Sequence, residues 1–248
     1  MKKKSVIIGN EGVIMSLLNY SERVNQLYCI KLYTKYMQFY RTYFADKNFL
    51  ISFGSGLILL GISLIMQFFI SDYVNSLPSA PVRDLILSNT RVYDVGGIFV
   101  YGSVLLFFIG LFVGLSRINC IPFIMKSVAL FTLIRSVFVI LTHITAFSTQ
   151  IVIESPFFNN MVFNGIFTGN DLFFSGHTGL SFLLALMFWK DKTLKTVFLG
   201  FSILFAIVVL LGHIHYSIDV ASAFFITYGI FQICKFLFKK EWELFLKK

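Results

Sequence analysis

The sequence predicts an all-α, polytopic membrane protein: six transmembrane helices preceded by an N-terminal amphipathic segment lying at the membrane interface. Three observations carry that prediction. Of 248 residues, 57% are hydrophobic and only 13% charged, with a mean hydropathy of +0.80, whereas soluble domains carry about 25% charged residues. Six apolar runs each approach the roughly 20 residues needed to cross about 30 Å of hydrocarbon. The basic residues behind the net charge of +9 gather at the ends of these runs, as the positive-inside rule requires, so nucleic-acid binding is not the reason for them.

Met1-Lys2-Lys3-Lys4 opens in the manner of a signal peptide, but Asn10, Glu11 and Asn19 interrupt any apolar core and no small-residue cleavage site follows. The N-terminus is therefore read as retained. Residues 1–48 form the first segment. Within it Tyr33, Tyr36, Tyr40 and Tyr43 recur at three- and four-residue intervals, interleaved with Lys31, Lys35 and Arg41. That spacing makes one helical stripe, with aromatic rings at headgroup level and bases toward anionic lipid.

Residues 49–238 hold the six expected spans: 49–70, 97–115, 121–147, 176–189, 194–214 and 218–238. Pro78 and Pro81 mark the first outer loop, Lys190-Asp191-Lys192 is a tight turn between spans four and five, and residues 239–248 read as a basic tail. One membrane domain accounts for all six. Lys2, Lys3, Lys4, Arg23, Lys31, Lys35, Arg41, Lys47, Arg117, Lys190, Lys192, Lys195 and the tail lysines fall on one side. The other side holds Arg83 and Arg91 against Asp72, Asp84, Asp94, Glu154 and Asp171. Both termini are thus expected in the cytoplasm, and the short loops and lysine-rich ends point to a bacterial inner membrane. Cys29, Cys120 and Cys234 then lie on the reducing side and are expected as free thiols.

That topology, obtained from charge alone, brings the polar motifs together. Span four runs inward from Ser175-Gly176-His177-Thr178, span five runs outward to His215, and span six begins at Ser217-Ile218-Asp219. All meet at the outer face. Ionisable groups at membrane depth are costly and mark functional sites. An Asp four residues after a His orients the ring and fixes its tautomer, leaving the far nitrogen of His215 free to attack. His177 is then available as general acid toward a leaving oxygen. Two His and one Asp suit a two-step phosphoryl transfer: His215 takes the group from a donor, and an acceptor hydroxyl deprotonated by His177 removes it. Ser175 can donate to a phosphate oxygen, Gly176 lets backbone approach it, and the N-terminus of span four presents N–H groups to the same anion.

Arg135, well inside span three, must face the bundle and either bind phosphate or pair with an acid such as Asp171. His213 reads as structural because helical geometry turns it away from His215, and His143 as interfacial. Closely spaced zinc-ligand pairs are absent, so no metal is expected. Six spans without repeat symmetry or broken helices count against a transporter or a non-enzymatic headgroup binder. Phe157, Phe158, Phe163 and Phe167 offer either a cation–π cage or lid packing.

Between about Pro78 and Phe238 the chain resembles the sphingomyelin synthase family, a branch of the wider lipid phosphate phosphatase superfamily. D-L-F-F-S-G-H-T at 171–178 resembles the family's G-D-x-x-F-S-G-H-T block, with Asn170 inserted after Gly169. H-I-H-Y-S-I-D-V at 213–220 resembles H-x-H-Y-T-x-D-V, with Ser217 for Thr. L-I-R-S at 133–136 is similar to its arginine-bearing third span, and A-P-V-R-D-L at 80–85 to its P-P-L-P-D block, with one Pro missing and Arg83 added. The resemblance implies a catalytic triad of His177, His215 and Asp219. Asp171, Ser175, Gly176, Thr178, Arg135, Tyr216 and Asp84 are then assigned to substrate or phosphate binding.

The resemblance also implies six spans, an active site on the outer face and no cofactor. The implied partners are membrane lipids: a glycerophospholipid donor of phosphocholine or phosphoethanolamine, and ceramide or a diacylglycerol-like alcohol as acceptor. A lipid phosphate phosphatase or phospholipase C-like hydrolase is the alternative. However, Lys126 and Arg135 lack that family's K-x6-R-P spacing, and Val208-Val209 stand where it has Ser-Arg. A phosphomonoester dianion would lose its basic clamp, whereas a monoanionic diester needs less positive charge.

Overall fold

The structure is a computed structural model describing residues 20–77, 80–142, 144–153 and 172–247. The described residues are helical, apart from loops and two isolated backbone bridges, Ala80 to Ile144 and Ile144 to Leu172. The chain divides into two units, Met1–Leu50 and Ile51–Lys248.

The first unit contains α1 (Tyr20–Ala45) and the beginning of α2 (Lys47–Ser76). Asp46 lies between them, and its Oδ1 accepts the Asn48 N–H at 2.9 Å, satisfying one of the exposed donors at the start of α2. The buried Phe49 ring stands 5.3 Å from Tyr43 and 5.9 Å from Phe44. Helix α1 covers the tyrosine stripe, and Tyr28 and Tyr33 on it are exposed.

The second unit adds α3 (Gly96–Ser116), α4 (Ile121–Thr142), α5 (Gly176–Met187), α6 (Lys192–Leu211), α7 (Ser217–Leu237) and α8 (Lys239–Leu246). Among the described residues five helical stretches are long and apolar enough to cross a membrane: Lys47–Val74, Gly96–Ser116, Ile118–Thr142, Lys192–Leu211 and Ser217–Leu237. The fourth expected span is shorter. Helix α5 has 12 residues, about 18 Å at 1.5 Å per residue. It cannot start earlier because Phe173 and Phe174 take positive φ values of 150° and 28°, turning the chain directly before Gly176. The third span also ends earlier than expected, its helix running to Thr142, whose hydroxyl donates to Phe138 O, and Ile144 is in a backbone bridge.

Helix α5 is the hub, packed chiefly on α6 and α7 and also on α4. Apolar burial drives little association between helices within lipid, so close packing of small residues carries it. Gly179 meets that need: a Cβ there would stand 2.9 Å from the Phe131 ring and from Thr227 Oγ1. Ser202 Oγ donates to Thr178 O at 2.9 Å, joining α6 to α5 in the buried interior.

At the end remote from the histidines, Asp191 caps α6 through the Leu194 N–H at 3.1 Å and pairs with Arg117 at 2.6 Å. The capping N–H and then the guanidinium hold the Asp191 carboxyl below the usual carboxylate range. The supposed basic tail contains α8, whose Trp242 and Phe245 pack on Phe123, with Phe231 beside Trp242 and Phe188 beside Phe245. Phe238, Trp242 and Phe245 recur at helical spacing, a stripe that the surrounding lysines obscure. Asn119 Nδ2 donates to Lys247 O at 2.8 Å, and Lys126 pairs with the buried Glu241, which also accepts from Ser52 Oγ at 2.7 Å. Burial pushes the Glu241 carboxyl up, but the bonds from Lys126 and Ser52 outweigh it and hold it low. The three cysteines are free thiols.

Candidate active site

The two histidine motifs meet where α5 begins and α6 gives way to α7. Helix α7 starts at Ser217, so His215 lies before it rather than on its first turn. The expected His215–Asp219 contact forms all the same, through the helix start. Asp219 is the third residue of α7, and its Oδ2 reaches back to accept the Tyr216 N–H at 3.1 Å, the acidic half of a capping box. The same oxygen stands 3.2 Å from His215 Nδ1. A carboxylate can only accept, so Nδ1 carries the hydrogen and Nε2 is left with a lone pair. Asp219 is fully buried, and its Oδ1 finds no protein partner.

Helix α5 is joined to this pair through the main chain, Ser175 N–H donating to Asp219 O at 3.0 Å. Ser175 precedes the first turn, and its hydroxyl, like that of Thr178, is buried without a protein partner. His177, on that turn, is partly exposed and within electrostatic reach of His215 and Arg135. Its ring packs edge-on to Phe99, centroids 4.4 Å apart, and lies 5.3 Å from Phe205.

Arg135 is buried, its Nε donating to Phe174 O at 3.3 Å. A Cβ on Gly176 would stand 3.2 Å from that Nε, so glycine is what lets the guanidinium reach the helix N-terminus. The cation, the N-terminus of α5 and both histidines thus occupy one end of the bundle, the arrangement that stabilises an anion.

The other expected residues divide. Asp84 and Tyr216 are beside the pair but engaged with protein. Asp84 Oδ2 accepts Ser217 N–H at 2.7 Å and Ser217 Oγ–H at 2.8 Å; its Oδ1 accepts Ile86 and Leu87 N–H at 2.8 and 3.0 Å. Burial pushes the Asp84 carboxyl up, and these four donors more than offset it, holding it below the usual carboxylate range. The Tyr216 hydroxyl donates to Thr145 O at 2.9 Å and accepts Val82 N–H at 3.2 Å. Burial raises it above the ordinary phenol value. Asp171, His143, Phe157, Phe158, Phe163 and Phe167 lie outside the described residues.

His213 is in a turn at φ 52°, not in a helix as its structural reading assumed. Its buried Nδ1 lies 2.6 Å from Thr149 Oγ1, and its ring lies edge-on to Phe147. Two further bonds tie the loops to the end of α6: Tyr93 N–H to Leu211 O at 2.9 Å and Ile151 N–H to Gly212 O at 3.1 Å. Thr149, Val82, Thr145, Phe99 and Phe205 give no sequence signal of their own; the last two are hidden among 31 phenylalanines. Among the described residues no group of three or more His, Cys, Asp or Glu side chains is placed to hold a metal ion.

Residues 168–236 match the family model described as PAP2 superfamily, C-terminal. The matched stretch contains Ser175, Gly176, His177, His215 and Asp219. It supports that superfamily, and with it an enzyme acting on phosphate esters, without selecting a branch. No curated protein and no solved structure matches the chain.

Proposed function

We propose that the chain is a membrane phosphotransferase that moves phosphocholine or phosphoethanolamine from a glycerophospholipid to ceramide or a related lipid alcohol. The observation that carries this reading is the His215–Asp219 pair with Nε2 left free, set beside His177, Arg135 and the N-terminus of α5. In the first half-reaction His215 Nε2 attacks phosphorus, the bond from phosphorus to the glyceride oxygen breaks, and His177 gives its proton to that oxygen, releasing diacylglycerol. Asp219 balances the positive charge gained by the His215 ring. In the second, His177 takes the proton of the acceptor hydroxyl, whose oxygen attacks phosphorus. The P–N bond breaks and its electron pair returns to Nε2.

Arg135 and the α5 N–H groups suit the phosphoryl oxygens, with Ser175 and Thr178 as further donors and Gly176 giving the backbone room. Val208 and Val209, both buried, put no cation where a phosphatase clamp would have one, which favours a singly charged diester over a monoester. Both termini are assigned to the cytoplasm and the site to the outer face on the charge asymmetry, and the membrane is assigned as a bacterial inner membrane on the short loops and lysine-rich ends.

The test is an assay of purified protein in detergent with fluorescent ceramide and phosphatidylcholine or phosphatidylethanolamine, beside His215→Ala. A phospho-ceramide product lost in the variant supports transfer and names the headgroup. Diacylglycerol without that product assigns the acceptor role to water. Silence with both donors, together with phosphate release from phosphatidic acid, replaces the transferase with a phosphatase. Headgroup binding unchanged in His215→Ala, with no turnover by the wild type, would mean a binder.

A further inference from the structure

The first outer loop carries a carboxylate that the two-histidine scheme does not use. Asp84 is buried to 5% exposure. A carboxylate accepts about four hydrogen bonds, and Asp84 receives four, none of them from a group able to leave with a substrate. Two come from its own loop, at Ile86 and Leu87, and fix the carboxylate there. The other two come from Ser217, the first residue of α7, through its N–H and its hydroxyl. Two residues earlier in the same loop, the Val82 N–H holds the hydroxyl of Tyr216.

Tyr216 and Ser217 are the two residues that follow His215, and with Ile218 they link it to Asp219. The Tyr216 N–H and His215 Nδ1 share Asp219 Oδ2, so any shift of the 216–217 backbone moves both donors relative to that oxygen. His215 itself lies before the helix, its N–H reaching back to Val209 O at 3.3 Å, so the start of α7 holds its main chain only through Tyr216 and Ser217. We propose that Asp84 is a positioning residue that acts through Ser217 to hold the start of α7, and thereby keeps His215 Nδ1 on Asp219. This rests on the functional reading above and deepens it: the loop sets the tautomer and aim of the nucleophile and does not bind the phosphate.

The test is a double-mutant cycle of Asp84→Asn and Ser217→Ala, with Ser217→Thr as the conservative variant that keeps the hydroxyl. Asparagine places an N–H2 against donors, so Asp84→Asn is expected to lower kcat about tenfold with KM within about twofold. Ser217→Ala should cost about threefold, Ser217→Thr little, and the double variant no more than Asp84→Asn alone, because the two act through one contact. A KM increase with kcat unchanged, or losses that multiply, would overturn the proposal in favour of substrate contact or independent roles.

A second readout needs no turnover. The chain has four histidines, so nitrogen-15 imidazole spectra of histidine-labelled protein, with His215→Ala to assign the signal, report the His215 tautomer directly. Nδ1–H alone is expected in the wild type and Ser217→Thr, and a mixture in Asp84→Asn. An unmixed tautomer in Asp84→Asn refutes the positioning role whatever the activity. An inactive wild type whose tautomer responds to Asp84→Asn counts against the transferase and supports the clamp.

Discussion

Asp219→Asn separates charge from shape at the site. Asp219 Oδ2 accepts from both His215 Nδ1 and Tyr216 N–H, and Oδ1 has no protein partner. An asparagine can therefore put its carbonyl where Oδ2 stands and keep both bonds, so what is lost is the negative charge. When Nε2 bonds to phosphorus the ring becomes cationic. At 3.2 Å, full charges in an effective dielectric of about 20 interact by about 5 kcal/mol. The ring spreads its charge and the transition state has developed only part of it, so about 2–3 kcal/mol enters the barrier. At 1.36 kcal/mol per tenfold, kcat should fall about 30- to 150-fold.

The new amide N–H2 occupies the buried, partnerless position of Oδ1, at a cost of about 1–3 kcal/mol in stability. Initial rates in detergent with a fluorescent acceptor lipid, beside thermal unfolding of the same preparation, measure the two effects separately. A kcat within threefold of wild type, at normal stability, would show that Asp219 does not serve His215 and would refute the charge-balancing role.

Other expectations follow from the same geometry. Gly179→Ala should cost about 1–3 kcal/mol by thermal unfolding, because its Cβ meets Phe131 and Thr227 at 2.9 Å, whereas Gly54→Ala, with nothing within 4 Å, should be neutral or slightly stabilising. Arg135→Lys removes the planar fork beside Gly176 and should lower activity at least tenfold with little loss of fold, read as kcat/KM against thermal midpoint. Glu241→Gln leaves Lys126 facing a neutral amide in a mostly buried pair and should cost about 3 kcal/mol by the same unfolding assay. Because the Asp84 carboxyl is held low, its stabilising contribution is present above about pH 4, the unfolded value, and is lost as pH falls through the lower folded value. Unfolding midpoints of wild type and Asp84→Asn should thus differ by a constant amount from pH 8 to about pH 4 and converge below it.

The long helices were legible because hydropathy and length dictate them; α3, α6 and α7 fall within two or three residues of the expected spans. The short α5 was legible too: expected at 176–189, it runs Gly176–Met187, and only the Phe173–Phe174 turn before it leaves no mark in an apolar run. Helix α8 was not, its aromatic stripe being interrupted by Lys239, Lys240, Glu241 and Glu243. At the site, the grouping of the two histidine motifs was visible in their positions at helix ends. The manner of the His215–Asp219 contact was not: i to i+4 spacing suggests one helical face, whereas the chain meets it through an N-terminal cap. Asp84 was recognisable as a motif residue, but its partner, Ser217, is 133 positions away, and only the fold supplies that.

The segment from Leu211 to Ser217 is tied on both sides by loops, and this changes how reporters can be placed. Outer loops are the usual sites for epitope or enzyme fusions in mapping which side of a membrane a segment faces. Here an insertion in 80–95 or 144–153 would pull on Asp84, Val82, Tyr93, Thr145, Thr149 or Ile151, each bonded to the 211–217 segment that bears His215. Such fusions would report sidedness from a chain whose 211–217 segment they had displaced. Single cysteines at Leu85 and Val152, both 83% exposed, offer the same loops to a membrane-impermeant thiol reagent while leaving every one of those bonds in place.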